Sequence, residues 1–132
     1  MIKKKLIFGT QCLGSYLNKR DSLSLLNKIY DFGVKKFDTA ERYPFPEKNE
    51  TYGLTEEIIG NWHRNNRLRN SILIDTKVTG RNFGEIKSIE SKRLSPKRII
   101  SAAEGSLKRL KTDYIDTFSI HWPDRFTNNF DR

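Results

Sequence analysis

Strand and helix signals alternate along this chain, and that alternation restricts the fold more than any single motif does. Short apolar runs at residues 5–9, 34–38, 71–78 and 114–120 each run into a glycine or a polar residue. Between them lie three segments of helical period. In the first, Leu25, Leu26, Ile29, Tyr30 and Phe32 recur at three- and four-residue spacing, with Asp21 as the expected N-cap and Gly33 as the stop. In the second, Leu54, Ile58, Ile59 and Trp62 predict a helix over 54–65, with His63 beside the stripe as a surface or partly packed residue. In the third, Ser95 is an N-cap followed by Pro96 at the first helical position. Ile99, Ala103, Leu107 and Leu110 then line one face, and Lys108, Arg109 and Lys111 suit the dipole at the helix end. The order β-α-β-α-β-α-β calls for parallel strands joined by right-handed crossovers, in an open α/β sheet or in part of a (β/α)8 barrel. Residues 71–78, the clearest strand, read as covered on both faces. Residues 79–94 carry no period and are expected to form a loop.

With 132 residues the chain is long enough for one domain with a core and short for two. Its 36% hydrophobic and 31% charged content marks a soluble globular chain on the polar side. The single Cys12 excludes an intramolecular disulfide and a cysteine-based zinc cluster, and it fits a reducing, cytoplasmic setting. Residues 1–5 are basic, but only Leu6, Ile7 and Phe8 follow before Gly9. That is short of the roughly 7–15 apolar residues of a signal peptide. No run approaches the ~18 of a membrane helix, so no membrane role is expected. The net charge of +9 is spread over the whole length with no basic arm and no aromatic-interleaved block. It fits a solvated surface or sites for a phosphorylated cofactor better than a nucleic-acid partner.

Functional groups of parallel α/β folds gather at the carboxyl ends of the strands. Asp38, Lys77 and His121 fall at three such ends, and Tyr43 follows Asp38 on a loop bounded by Pro44 and Pro46. A phenol ordinarily titrates near pH 10, and a neighbouring ammonium lowers that value. Lys77 is therefore expected to ready Tyr43 as a general acid while Asp38 fixes Lys77. His121 would donate a hydrogen bond to a carbonyl oxygen. The same spacing also fits a purely stabilising Asp38–Lys77 ion pair, a loop tyrosine and a structural histidine before Pro123. One His and one Asp make an incomplete ligand set, so no metal is expected.

Three stretches carry a resemblance: Phe37-Asp38-Thr39-Ala40-Glu41-Arg42-Tyr43, Asp75-Thr76-Lys77-Val78 and Ile120-His121-Trp122-Pro123. They resemble the N-terminal signature regions of the aldo-keto reductases. The finer match is to the Tas-like branch, through Gly53-Leu54-Thr55-Glu56, Ile59-Gly60-Asn61-Trp62, Ser106-Leu107-Lys108-Arg109-Leu110, Thr112-Asp113-Tyr114 and the run from His121 through Arg125, Thr127 and Asn128. The resemblance implies a (β/α)8 barrel that uses NADP(H), with NAD(H) as the alternative, to reduce a small aldehyde or ketone. It implies a catalytic tetrad of Asp38, Tyr43, Lys77 and His121, and it sets Gly9, Thr10, Gln11 and Asp38 beside the nicotinamide. A complete barrel is typically about 250 residues. Residues 1–132 are thus expected to be a partial reductase domain, the N-terminal half of the barrel, truncated after the fourth strand. Its open edge strands would then invite association with a second copy or with a complementary half.

Overall fold

The computed structural model describes residues 6–80 and 94–122. Expectations for residues 1–5, for 81–93 and for Pro123, Arg125, Thr127 and Asn128 lie outside them. Four strands, β1 (Ile7–Gly9), β2 (Lys36–Asp38), β3 (Leu73–Val78) and β4 (Thr117–Ile120), form one parallel sheet in the order β1-β2-β3-β4. Helices α1 (Lys19–Phe32), α2 (Leu54–Asn65) and α3 (Pro96–Leu110) connect them. Sequential order with no reversal is what successive units of a barrel require, whereas an open doubly wound sheet turns back at a switch point.

The core lies between one face of the sheet and the helices. Phe37, Ile72 and Ile74 pack there with Leu13, Leu26, Ile58, Ile59, Trp62 and Leu110, all nearly or fully buried. Because side chains alternate along a strand, the opposite face carries Ile7, Lys36, Asp38, Leu73, Asp75, Lys77, Thr117 and Ser119. Ile7 and Leu73 are about half exposed there, at 54% and 48%. β3 is therefore covered on one face only, contrary to its reading as a doubly buried strand. Ile74, Thr76 and Val78 are buried, while the alternate residues keep some access to solvent.

Local chemistry explains the helix ends. The cap of α1 is Asn18, not Asp21: the Asn18 side chain accepts from the Asp21 backbone N–H at 2.9 Å and donates to the Asp21 carboxylate at 2.8 Å. Asp21 thus sits inside the first turn as the reciprocal partner of the cap. Gly33 ends the helix at φ 104°, a left-handed conformation that a side chain disfavours. Phe32, expected on the buried face, is 53% exposed. α3 starts as expected, with Ser95 Oγ accepting from Arg98 N–H.

The buried stripe of α3 is not the large apolar one. Ala102, Ser106 and Leu110 face inward, while Ile99, Ala103 and Leu107 are only half-buried. The reason is the close crossing with α2: a Cβ on Gly60 would stand 2.4 Å from the Arg109 carbonyl oxygen. Small residues alone fit that approach. His63 also differs from expectation, being buried with Nε2 2.7 Å from the Leu110 carbonyl. It ties α2 to the end of α3, and burial lowers its pKa. Arg69 secures the next connection. Its guanidinium donates to Thr112 Oγ1, to the Ile72 and Tyr114 carbonyls and to Asp116, and Asp116 in turn accepts from Ile74 N–H.

Candidate active site

The four side chains picked out at strand ends come together at one edge of the sheet. Asp38 is the last residue of β2, Lys77 the last but one of β3, and His121 follows β4 directly. Lys77 Nζ lies 2.8 Å from Asp38 Oδ2 and 2.7 Å from the Thr39 carbonyl oxygen. It is also 5.4 Å from the centre of the Tyr43 ring. The Tyr43 ring meets His121 edge to face at 5.6 Å between centroids. His121 in turn packs at 4.8 Å on Trp122, over whose other neighbour, Arg42, the guanidinium stands 4.4 Å from the ring.

Tyr43 sits on a loop, so something must fix it relative to Lys77. Glu41 does so by gripping the end of β3 twice. Its backbone N–H donates to the Lys77 carbonyl at 3.2 Å, and its Oε1 accepts from Thr79 N–H at 2.6 Å. Arg98 at the start of α3 forms an ion pair with the same oxygen and also reaches the Thr79 carbonyl. Glu41 is only 2% exposed, so this is a buried charge with its partners in place. The first loop is fastened to the second by Phe45 N–H to the Gln11 carbonyl and by Ser15 Oγ to the Phe45 carbonyl. Glu41, Arg98 and Arg42 escaped the sequence reading.

Electrostatics sort the two proton-handling groups. Burial raises the Tyr43 pKa, and the Asp38 charge raises it further against a lowering by Arg42. The lowering expected beside Lys77 does not prevail: burial and the Asp38 charge set the direction. The phenol therefore stays protonated, the state a general acid needs. His121 is pushed down to about 4, by burial first and then by the Lys77 and Arg42 charges, with Asp38 opposing. It is a neutral imidazole near pH 7, with Nδ1 buried and without a hydrogen-bond partner among the described residues.

This has a consequence for stability. The folded-state pKa of His121 lies below its ordinary 6.5, so between pH 6.5 and about 4 the unfolded chain binds more protons. The contribution is fully present above that window and is lost as pH falls through it. Because the ring keeps some access to solvent, the loss is expected to be about 1–2 kcal/mol. Denaturant unfolding of the chain and of His121→Gln across pH 7 to 4 checks it, since the variant should lose this part of the acid slope.

The residues at the end of β1 have distinct places. Gly9 and Gln11 are exposed, and no atom of the described residues lies within 4 Å of a Cβ built on Gly9. Thr10 is fully buried and donates through both N–H and Oγ1 to the Asp38 carbonyl, which fastens the end of β1 to the end of β2. Among the described residues a concavity of about 860 Å³ lies elsewhere, near Arg64, Leu107, Lys111 and Tyr114. The convergent titratable groups at the sheet edge are the better guide to a site. Among the described residues no three His, Cys, Asp or Glu side chains group as metal ligands. No helix among them is long and apolar enough to cross a membrane.

A family model described as the aldo/keto reductase family matches residues 5–130. The chain belongs to the aldo/keto reductase family. Protein tas of Escherichia coli (strain K12) is 39% identical over 123 residues, which are 92% of this chain and 36% of that protein. Aldo-keto reductase YhdN of Bacillus subtilis (strain 168) is 31% identical over 120 residues, 88% of this chain and 33% of that one. The crystal structure of a thermostable aldo-keto reductase, Tm1743, in complex with the inhibitor epalrestat superposes with a TM-score of 0.70 at 29% identity. The match covers 92% of this chain and 39% of that structure. The chain thus spans about a third of the length of these curated relatives. Its four-stranded parallel sheet is half of an aldo-keto reductase barrel.

Proposed function

We propose that this chain carries the proton-transfer half of an NADP(H)-dependent carbonyl reductase acting on small aldehydes or ketones. The observation that supports it most is the Lys77 ammonium, held between Asp38 Oδ2 and the Thr39 carbonyl at the edge where Tyr43 and His121 meet. The nicotinamide, when bound, supplies the hydride. In this reading Tyr43 donates its proton to the carbonyl oxygen, and the Lys77 charge steadies the phenolate that remains. Asp38 holds Lys77 in place. Neutral His121 donates one N–H to the substrate oxygen and orients it. Gly9, Thr10, Gln11 and Asp38 would border the nicotinamide. NADP(H) is preferred over NAD(H) on the family likeness, and the single Cys12 fits a reducing, cytoplasmic setting. Loss of nicotinamide absorbance with a panel of aldehydes and ketones tests the reading, with NADPH and NADH compared. Turnover that depends on the carbonyl supports it. Cofactor binding without turnover for any carbonyl counts against it.

The open face of the sheet favours a second reading, a half-barrel that acts by association. Ile7 and Leu73 are each about half exposed on that face, where a barrel closed by another copy or half would cover them. Sedimentation separates the two: a monomer at all concentrations that still turns over carbonyls removes the association reading.

A further inference from the structure

Beneath the Asp38–Lys77 pair lies a second ion pair on the same face of the sheet. Lys36 Nζ is 2.8 Å from Asp75 Oδ2. The two pairs form a checkerboard: β2 contributes Lys36 and Asp38, and β3 contributes Asp75 and Lys77. The strand register sets Asp38 directly opposite Asp75. Adjacent strands are ~4.8 Å apart, and like charges directly opposite each other destabilise a sheet. Each carboxylate here is neutralised along a diagonal by the lysine of the other strand. Asp75 therefore sits two residues before Lys77 on its own strand and beside Asp38 on the neighbouring one. Without Lys36 it would be a rival for the Lys77 ammonium. One Asp75 oxygen, Oδ1, is already buried without a hydrogen-bond partner among the described residues.

We infer that Lys36 and Asp75 are positioning residues for the proposed reduction: Lys36 occupies Asp75 so that Lys77 stays committed to Asp38 beneath Tyr43. The inference rests on the reductase reading of this edge. Neither residue belongs to the tetrad. Lys36 responds to its surroundings as such a role requires. Its pKa is raised by the hydrogen bond to Asp75, then by the Asp75 charge, and less by Asp38 and Asp116. The groups that face the pair are Asp38 on β2, Lys77 on β3 and Asp116 just before β4. Tyr43 and His121 lie one step above.

The discriminating experiment compares Lys36→Met, Asp75→Asn and the double variant. Lys36→Met leaves Asp75 unpaired, so turnover should fall about tenfold and the pH–rate profile should shift. Removing the rival charge as well should return turnover to within about threefold of the parent. A merely structural pair would lower thermal stability without moving the pH profile, and the double variant would show no recovery. The Lys77 ammonium resonance, followed by ¹⁵N NMR in the same variants, needs no turnover. It should move in Lys36→Met and return in the double variant. An unmoved resonance in Lys36→Met overturns the inference even if the chain proves to be a reductase. A moved and restored resonance in a chain without turnover keeps the positioning and removes the reductase reading.

Discussion

Tyr43→Phe is expected to lower carbonyl reduction by about 10²–10⁴-fold, the usual range for loss of a positioned general acid. Cofactor binding should be unchanged. The variant deletes one oxygen and leaves the ring, so the edge-to-face contact with His121 and the loop around it stay as they are. The phenol is well suited to be the acid because burial and the Asp38 charge both keep it protonated. Its proton is released only when a developing alkoxide makes a stronger base available nearby. Lys77, 5.4 Å from the ring centre, can then support the phenolate. Steady-state kinetics with a direct measurement of NADPH affinity separates the two effects. Unchanged turnover would mean that another group supplies the proton.

The second large effect concerns Glu41. Glu41→Leu should destabilise the chain by about 3–5 kcal/mol, because it leaves the Arg98 guanidinium and Thr79 N–H without their buried acceptor. Adding Arg98→Met should recover a good part of that loss, since replacing both members of a buried pair costs far less than breaking it. Denaturant melts of the two single variants and the double one give the coupling directly. Glu41 also bridges the Tyr43 loop to the end of β3, so turnover should fall in Glu41→Leu even at temperatures where it remains folded. Equal stability of Glu41→Leu and the parent would contradict the clamp.

How far the sequence reveals this site depends on distance along the chain. Asp38, Lys77 and His121 were legible because each interrupts an apolar strand signal at the edge where such folds place their chemistry. Tyr43 was legible through its loop and its neighbours. The Glu41–Arg98 and Glu56–Arg109 pairs were not, because their partners are 57 and 53 residues apart and each charge alone looks like ordinary surface. His63 read as a helix-surface residue for the same reason. The buried face of α3 was missed because Ala102 and Ser106 carry little hydropathy; their use is the close crossing at Gly60. Proximity of Lys77 to Tyr43 was foreseeable, but burial decides the direction of the Tyr43 shift, and burial is a property of the packed loop. The cap of α1 was displaced by three residues because Asp21 serves equally well inside the first turn.

The central claim is that this sheet edge delivers a proton to a carbonyl while a nicotinamide hydride reaches its carbon. NADPH deuterated at the transferring position of the nicotinamide, incubated with the protein and an accepted aldehyde, tests it directly. Mass spectrometry of the alcohol should find one deuterium on the former carbonyl carbon, with formation suppressed in Tyr43→Phe. Alcohol without deuterium, or deuterated alcohol formed as fast by Tyr43→Phe as by the parent, would contradict it.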